Sequence, residues 1–340
     1  MSIRIDPSPY MTSLTENYLF SEVRARINGF LSRNGGEIIN LGVGDVAYPL
    51  PLLIAEEMER AAAELADNAR FRGYPPEGGY DFLKKAASDF YFKHGARVCE
   101  DEIFIGVGTK SDASAFTEIF GKADVIVPDP VYPVYADSAA MRGDRVLFLK
   151  GEKENGFLPM PDGQERKPWI IWICSPNNPA GSAYDGAQLS SWVNFALDTG
   201  SLILFDSAYS AFAEPPIPKT IYGIDGAKEC AVEFFSFSKF AGFTNLRCSW
   251  VVVPNALKCR GARVNALWRR RQAAKFNGVC YPVQMAAAAA LAEEGERECE
   301  KIVSVYKENA REISGFLKEA GVWHTGGKHS PYVWAECPRG

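Results

Sequence analysis

Seven short runs of β-branched and aromatic residues recur along this chain, and turn residues close each of them. Continuous apolar runs of this kind are typical of strands covered on both faces, which favours a largely parallel sheet. Helix-like segments separate many of the runs, so the pattern predicts a doubly wound α/β domain. The predicted strands are residues 102–108, 124–130, 145–150, 169–174, 202–206, 231–235 and 249–254.

Segments with helical spacing or strongly helix-forming composition lie around these strands. The predicted helices are residues 52–68, 80–94, 111–120, 186–198, 284–294 and 297–320. The alternation of strands and helices predicts a large domain over residues 51–284, built on a mainly parallel seven-stranded sheet sandwiched by helices. We predict that residues 1–50 form an N-terminal arm and part of a smaller α/β domain. Residues 285–340 would begin the C-terminal part of that smaller domain.

Composition excludes several classes of function. The chain of 340 residues is 47% hydrophobic, carries a formal net charge of -5 and has no basic run, which argues against nucleic acid as a partner. Its eight cysteines are scattered and its three histidines form no motif, so we expect reduced thiols and no metal site. No apolar run is long enough for a signal peptide or a membrane span. We expect a cytoplasmic protein, or a plastid one if the source is photosynthetic.

Polar, aromatic and glycine residues concentrate directly after the predicted strands. In open parallel sheets, ligands bind outside the carboxyl ends of the strands. The strand ends therefore define a candidate ligand site, formed by residues 108–111, 129–132, 175–178, 206–209 and 236–239.

The loop from Gly108 to Ser111 follows a predicted strand and precedes a predicted helix. Its backbone N–H groups can bind an anion, helped by the helix dipole. The loop lacks the ending of a nucleotide-binding P-loop and the third glycine of a dinucleotide fingerprint. Considered alone, it fits a simple glycine turn with a Thr109 cap better than an anion site.

Asn178, Asp206 and Tyr132 each have a structural and a functional interpretation. Asn178 lies in an Asn-Pro turn, yet its amide can reach a ligand oxygen at a strand end. Asp206 ends a strongly apolar strand, where a carboxylate either caps the next helix or pairs with a cationic ligand. Tyr132 either stacks on an aromatic ligand or packs in its turn beside Tyr135.

Lys239 follows an apolar strand in the segment Ser-Phe-Ser-Lys. A buried lysine amine has a lowered pKa, and the neutral amine attacks carbonyl groups. Ser236, Ser238 and Arg247 are residue types that bind a dianionic phosphate through charge-assisted hydrogen bonds. Considered alone, however, Lys239 fits a lysine whose stem covers apolar surface better than it fits a nucleophile.

Together these residues supply the groups that pyridoxal 5'-phosphate (PLP) needs: an anion loop, a stacking tyrosine, an amide, a carboxylate for a ring nitrogen, a lysine and an arginine. Their order along the chain resembles that of the fold-type I, PLP-dependent aminotransferases of class I/II. Within that family the chain looks like the LL-diaminopimelate aminotransferases. The segments that carry this likeness are residues 14–23, 39–51, 71–79, 174–181, 205–212, 236–250 and 276–284.

The resemblance implies a role for each candidate residue. Lys239 would form a Schiff base with the cofactor and move the substrate proton, and Asp206 would pair with the pyridinium nitrogen. The residues implied to bind the rest of the cofactor are Asn178, Tyr209, Tyr132, Thr109, Lys110, Ser236, Ser238, Arg247 and Asn277, with Tyr74 of the neighbouring subunit. The residues implied to contact substrate are Tyr18, Gly44, Lys110, Tyr132, Asn178 and Asn277. Shared sites of this kind imply a homodimer.

The implied reaction is transamination between LL-diaminopimelate and 2-oxoglutarate, giving tetrahydrodipicolinate and glutamate for lysine and diaminopimelate biosynthesis. Another class I/II aminotransferase, with aromatic, aspartate or broad donor preference, is the nearest alternative. A non-catalytic protein of the same fold is an alternative of a different class. A nucleotide-dependent oxidoreductase is disfavoured by the missing third glycine.

The chain departs from the family pattern mildly at Thr109 and Ala180 and more strongly at two further places. Asn245, Cys248 and Ser249 replace the family's usual residues around Arg247. The family also continues beyond the last residue here, through a segment with an arginine for the substrate α-carboxylate, and no residue of this chain matches that arginine. We expect the chain to be a piece of a longer protein; the alternative is a shortened small domain.

Overall fold

A seven-stranded sheet lies at the centre of the computed structural model, which describes residues 4–12, 14, 18–42 and 44–337. The strand order is β1-β7-β6-β5-β4-β2-β3. The strands are β1 Ile103–Gly106, β2 Asp124–Asp129, β3 Arg145–Lys150, β4 Ile170–Cys174, β5 Leu202–Asp206, β6 Ala231–Ser236 and β7 Ser249–Val252. All seven coincide with predicted strands. β7 alone runs antiparallel to its neighbours β1 and β6, so the mainly parallel sheet is confirmed.

Helices cover both faces of this sheet, as predicted. They are α1 Pro9–Thr12, α2 Leu19–Asn34, α3 Leu52–Glu64, α4 Asp81–Lys93, α5 Thr109–Phe116, α6 Val134–Arg142, α7 Gly186–Thr199, α8 Ala227–Cys230, α9 Phe237–Phe240, α10 Val264–Lys275, α11 Tyr281–Leu291 and α12 Glu293–Glu319. One apolar core lies between the sheet and α3, α4, α7 and α11. A second core lies on the opposite face, against α5, α6 and α10.

Six helices are absent from the sequence-based prediction: the four-residue helices α1, α8 and α9, and the longer helices α2, α6 and α10. α2 contains no buried residue, and α10 carries a run of three arginines, so neither shows a broad apolar face. α6 follows a Pro-Val-Tyr-Pro stretch that reads as a turn. The predicted helix at residues 284–294 was placed too late. Pro282 in the first turn of α11 is the expected helix-start signal.

Outside the sheet, two short hairpins complete the described part of the chain. β8 Lys258–Cys259 pairs with β9 Ala262–Arg263, and β10 His324–Gly326 pairs with β11 Val333–Ala335. The predicted domain boundary at residue 284 falls inside α11, which packs on α3 and α4. The division into domains therefore stays a prediction. None of the helices among the described residues is long and apolar enough to cross a membrane.

Candidate active site

The carboxyl ends of the central strands lie side by side. Cys174 at the end of β4 is in register with Asp206 at the end of β5. Ser236 at the end of β6 is opposite Ser249, the first residue of β7, and Ser249 is also opposite Gly106 at the end of β1. Because β7 is antiparallel, it begins at the edge where its neighbours end. The predicted ligand edge is thus one continuous row of residues.

Lys239 lies just beyond this edge, in the short helix α9. Ser236 caps that helix, and its hydroxyl accepts a hydrogen bond from the N–H of Ser238 at 3.2 Å. The Lys239 side chain is half-buried, and its Nζ donates to the carbonyl oxygen of Gly44. Burial lowers the pKa of Lys239, and the positive charge of Arg247 lowers it further, against the opposing effect of Asp45. The neutral amine, which is the nucleophilic form, is therefore more accessible than in an ordinary lysine.

Asp206 is a buried carboxylate with only 4% of its surface exposed. It accepts hydrogen bonds from the hydroxyl of Tyr135 at 2.6 Å and from the N–H of Ala208 at 2.9 Å. Desolvation raises the pKa of Asp206 to about 6, although both hydrogen bonds oppose this. A cationic ligand would stabilise the ionised form, so the site fits a protonated ring nitrogen. The competing interpretation of Asp206 as a helix cap does not apply, since no α-helix begins there.

A group of hydroxyls and one amide lies near Asp206. Asn178 Nδ2 is 3.5 Å from the hydroxyl oxygen of Tyr209, and that hydroxyl is 2.5 Å from the hydroxyl of Tyr332. Desolvation raises the pKa of Tyr209 well above its usual value, and that of Tyr332 to about 12. Both phenols therefore remain protonated at neutral pH and can donate to a ligand oxygen.

Tyr132 belongs to an aromatic group above the strand ends. Its ring meets Tyr135 edge to face at 6.0 Å between centroids, and Phe20 lies 6.4 Å away. Lys110 Nζ lies 5.9 Å from the Tyr132 centroid and donates a hydrogen bond to the Tyr18 hydroxyl at 2.7 Å. Lys110 therefore approaches both Tyr18 and Tyr132, and all three are predicted site residues.

Thr109, Ser238 and Arg247 form a cup that suits an anion. The Thr109 hydroxyl is buried, and no described residue offers it a hydrogen-bond partner. Arg247 Nη1 lies 3.4 Å from the Ser238 hydroxyl. A Cβ at Gly108 would lie 2.0 Å from Nη2 of Arg247, so only glycine leaves room for the guanidinium. An unpartnered buried hydroxyl beside a guanidinium and a helix N-terminus matches the needs of a phosphate group.

Two predicted site residues lie elsewhere on the surface. Tyr74 is 85% exposed, and Asn277 is also exposed. Within the described part of the chain, no hydrogen bond or ring contact joins either side chain to Lys239, Asp206 or the anion cup. Their loops adjoin each other, because a Cβ at Gly278 would lie 2.6 Å from the carbonyl oxygen of Pro76. Residues 15–17 and 43, which belong to two segments of the family likeness, lie outside the described residues.

Sequence reasoning missed several residues of this site. Tyr135 enters the sequence analysis only as a possible packing neighbour of Tyr132, but its hydroxyl binds Asp206. Tyr332 comes from the loop before β11, and nothing in the sequence connects it with Tyr209. Asp112 and Ser249 lie behind the anion cup, and the side chain of one binds that of the other.

Comparison with known proteins assigns the chain to the class of enzyme that the sheet, its ligand edge and Lys239 indicate. Residues 36–340 match the family described as aminotransferase class I and II, and the chain belongs to that family of enzymes. Among solved structures it is similar to "L,L-Diaminopimelate aminotransferase from Chlamydomonas reinhardtii", with a TM-score of 0.94 and 39% identity. That match covers 100% of this chain and 87% of the other.

Two curated relatives have similar names. The LL-diaminopimelate aminotransferase of Methanosphaera stadtmanae is 40% identical over 358 residues, which covers 99% of this chain and 86% of the relative. The protein of that name from Prochlorococcus marinus strain MIT 9313 is 43% identical over 346 residues, covering 96% and 84% respectively. The family assigned from the sequence motifs is thus confirmed.

Proposed function

We propose that this protein is a PLP-dependent aminotransferase that uses LL-diaminopimelate and 2-oxoglutarate, and that Lys239 is its catalytic residue. The observation that carries the proposal is the placement of Lys239, Asp206 and the Thr109 cup at one edge of the sheet. A nucleophilic amine, a carboxylate for a cation and an unpartnered anion cup are three separate requirements of PLP. Their presence together disfavours a non-catalytic or nucleotide-binding alternative.

When bound, PLP supplies the electron sink and the carbonyl group for amino-group transfer. The residues of the chain hold it in place. Asp206 keeps the ring nitrogen protonated through charge pairing, while Asn178 and Tyr209 donate to the phenolic oxygen. Thr109, Ser236, Ser238, Lys110 and Arg247 hold the phosphate, and the Tyr132 ring limits movement of the pyridine ring.

Lys239 acts as the base and acid of the reaction. In this proposal its amine takes a proton from the substrate Cα and returns it, and burial and the charge of Arg247 assist by lowering the pKa of Lys239. Gly44 contacts Lys239, Tyr18 and Lys110 contact each other, and all three contact the substrate in this proposal.

The substrate assignment is supported by the names of the relatives, each about 40% identical over nearly the whole chain. Purified protein is tested for amino transfer from LL-diaminopimelate to 2-oxoglutarate, with aspartate and aromatic amino acids as competing donors. We expect a preference of at least about tenfold in kcat/KM for LL-diaminopimelate, the discrimination expected from one well-placed polar contact. Equal rates across donors would leave a broad-specificity aminotransferase.

The cofactor assignment is tested on the same protein. We expect a yellow protein in which borohydride reduction attaches PLP to Lys239, located by peptide mass spectrometry. A preparation that takes up no added PLP, or one labelled at another lysine, would contradict the assignment.

We also propose a homodimer with shared sites and a cytoplasmic location. The dimer is supported by the exposure of Tyr74, which the family likeness assigns to the cofactor phosphate of a neighbouring subunit. The location is supported by the eight unpaired cysteines, typical of a reducing compartment. Mixing inactive Lys239→Ala protein with weakly active Tyr74→Ala protein should restore activity, because mixed dimers contain one intact site. No recovery after subunit exchange would contradict site sharing.

A further inference from the structure

Ser249 departs from the family pattern and lies at the centre of the ligand edge. It is opposite Gly106 of β1 on one side and Ser236 of β6 on the other. Its hydroxyl accepts a hydrogen bond from the N–H of Gly108 at 2.7 Å and donates one to Oδ2 of Asp112. One buried hydroxyl thus joins the loop before α5 to a carboxylate in the first turn of α5.

Two glycines make this arrangement possible. A Cβ at Gly106 would lie 2.2 Å from the carboxylate of Asp112, and a Cβ at Gly108 would lie 2.0 Å from the guanidinium of Arg247. Gly106 therefore leaves room for the Asp112 carboxylate, and Gly108 leaves room for the Arg247 guanidinium. Gly108 also has a φ of 116°, a value that other residues rarely adopt.

The hydrogen bond from Gly108 decides which donors remain for a ligand. The N–H groups of Ser111 and Asp112 already donate to the carbonyl oxygen of Gly108, as part of the helix. Ser249 takes the N–H of Gly108 itself. The first two helical residues, Thr109 and Lys110, have no intrahelical acceptor for their N–H groups, and the Thr109 hydroxyl is unpartnered within the described residues.

Asp112 connects the hydrogen bond between Gly108 and Ser249 with the positive charge of Arg247 in the anion cup. It is 5% exposed, and burial raises the pKa of its carboxyl to about 7, although the hydrogen bond from Ser249 and the charges of Arg247 and Arg271 oppose this shift. Burial raises the pKa of the Cys248 thiol, and the negative charge of Asp112 raises it further. The carboxylate therefore bonds Ser249 directly and lies within electrostatic range of the Arg247 guanidinium of the cup.

We propose that Ser249 and Asp112 are a positioning pair for the cofactor phosphate. Ser249 holds the Gly108 N–H away from the ligand, and Asp112 holds the Ser249 hydroxyl. The loop is thereby kept in the orientation that presents Thr109, Lys110 and Arg247 to the phosphate. This inference rests on the proposed PLP-dependent function.

The test compares PLP with pyridoxal, which has the same ring and aldehyde but no phosphate. Dissociation constants of both are measured by visible absorption for wild type and Ser249→Ala. We expect Ser249→Ala to weaken PLP about tenfold, the effect of one charge-assisted hydrogen bond, and to leave pyridoxal within about twofold. The ³¹P resonance of bound PLP should also shift. Asp112→Asn, which keeps an acceptor oxygen for Ser249, should weaken PLP about threefold, because an amide oxygen holds the Ser249 hydroxyl less strongly than a carboxylate does.

Ser201→Ala is the matched control. Ser201 is also buried at a strand end, accepts a backbone N–H from Trp169 at 2.9 Å and bonds the hydroxyl of Thr199 at 2.6 Å, but it lies at the opposite edge of the sheet. It should not change the ratio of PLP to pyridoxal affinity. If wild type binds PLP and both Ser249→Ala and Asp112→Asn keep the wild-type ratio, or if Ser201→Ala changes it equally, the positioning role is overturned. Failure of wild type to bind PLP would instead overturn the proposed function.

Discussion

Asp206 and Glu233 are buried carboxylates on the neighbouring strands β5 and β6, yet their surroundings differ. Glu233 is fully buried and accepts four hydrogen bonds, from the hydroxyls of Tyr91, Ser207 and Thr220 and the N–H of Ile221. Asp206 accepts two. Burial raises the pKa of both groups, to about 7 for Glu233 and about 6 for Asp206.

The difference teaches that a shifted pKa does not by itself mark a functional carboxylate. Glu233 lies within its strand, where four donors from three segments of the chain saturate both oxygens. Asp206 lies at the strand end, beside a lysine and an anion cup. What separates the two is the bonding capacity left for a ligand, and the following predictions test that distinction.

The largest effect is expected at Lys239, which lies at the same edge of the sheet as Asp206, the carboxylate with bonding capacity left for a ligand. Lys239→Ala should lower transamination at least about 10³-fold, since general acid–base catalysis and the nucleophile are lost together. The midpoint of thermal unfolding should change little, because the side chain is only half-buried. Turnover is measured by glutamate formation, and unfolding by calorimetry. Retention of more than a tenth of the activity would remove Lys239 from the mechanism.

Asp206→Asn keeps the shape of the side chain and removes its charge. We expect kcat to fall about 10²-fold, the effect of removing one electrostatic partner in a buried site. The absorption spectrum of bound PLP should also change, since the ring nitrogen would lose its charge partner. Glu233→Gln is the comparison and should leave kcat within about threefold. Equal losses of kcat for the two variants would show that Asp206, which has bonding capacity left for a ligand, and Glu233, which has none, do not differ in function.

Glu233→Gln should act on stability instead. It places an NH₂ group among donors, so we expect a loss of about 2 kcal/mol in the free energy of unfolding. The pKa of Glu233 is about 7 in the folded protein against 4.5 in the unfolded chain, so the folded state keeps a proton that the unfolded state releases. Wild-type stability should therefore fall as pH rises from about 4.5 to 7.

The variant should show a weaker fall over the same pH window, because it lacks this proton. Denaturant unfolding at several pH values measures both slopes. Parallel slopes for wild type and variant would mean that Glu233 is already ionised in the folded protein.

The smallest effect compares two threonines. Thr109→Val replaces an unpartnered buried hydroxyl by a methyl group, so stability without cofactor should stay within about 0.5 kcal/mol of wild type or rise. PLP affinity should fall about tenfold. Thr220→Val removes a hydroxyl that donates to Glu233 and accepts from the N–H of Tyr222, and should cost about 1–3 kcal/mol in stability. A large stability loss for Thr109→Val would mean that its hydroxyl has a partner in the protein itself.

The sequence by itself determined the sheet and its ligand edge. Long apolar runs have few alternatives to buried strands, and the residues that follow them must meet at one edge of a parallel sheet. It also led to the prediction of Lys239, Asp206 and Asn178 as site residues, because their order along the chain resembles that of a known family. α10 was missed, since its helix is stabilised by a few buried contacts at Val264 and Trp268 and not by a broad apolar face.

Only the tertiary structure decided which buried polar groups are saturated. Glu233 and Asp206 both end or interrupt apolar strands in the sequence, and nothing local distinguishes them. Their donors come from residues distant along the chain, such as Tyr91 for Glu233 and Tyr135 for Asp206. The same holds for Tyr332 against Tyr209 and for Ser249 against Asp112. Hydrogen-bond saturation depends on which segments folding brings together, and residue type and local spacing do not carry that information.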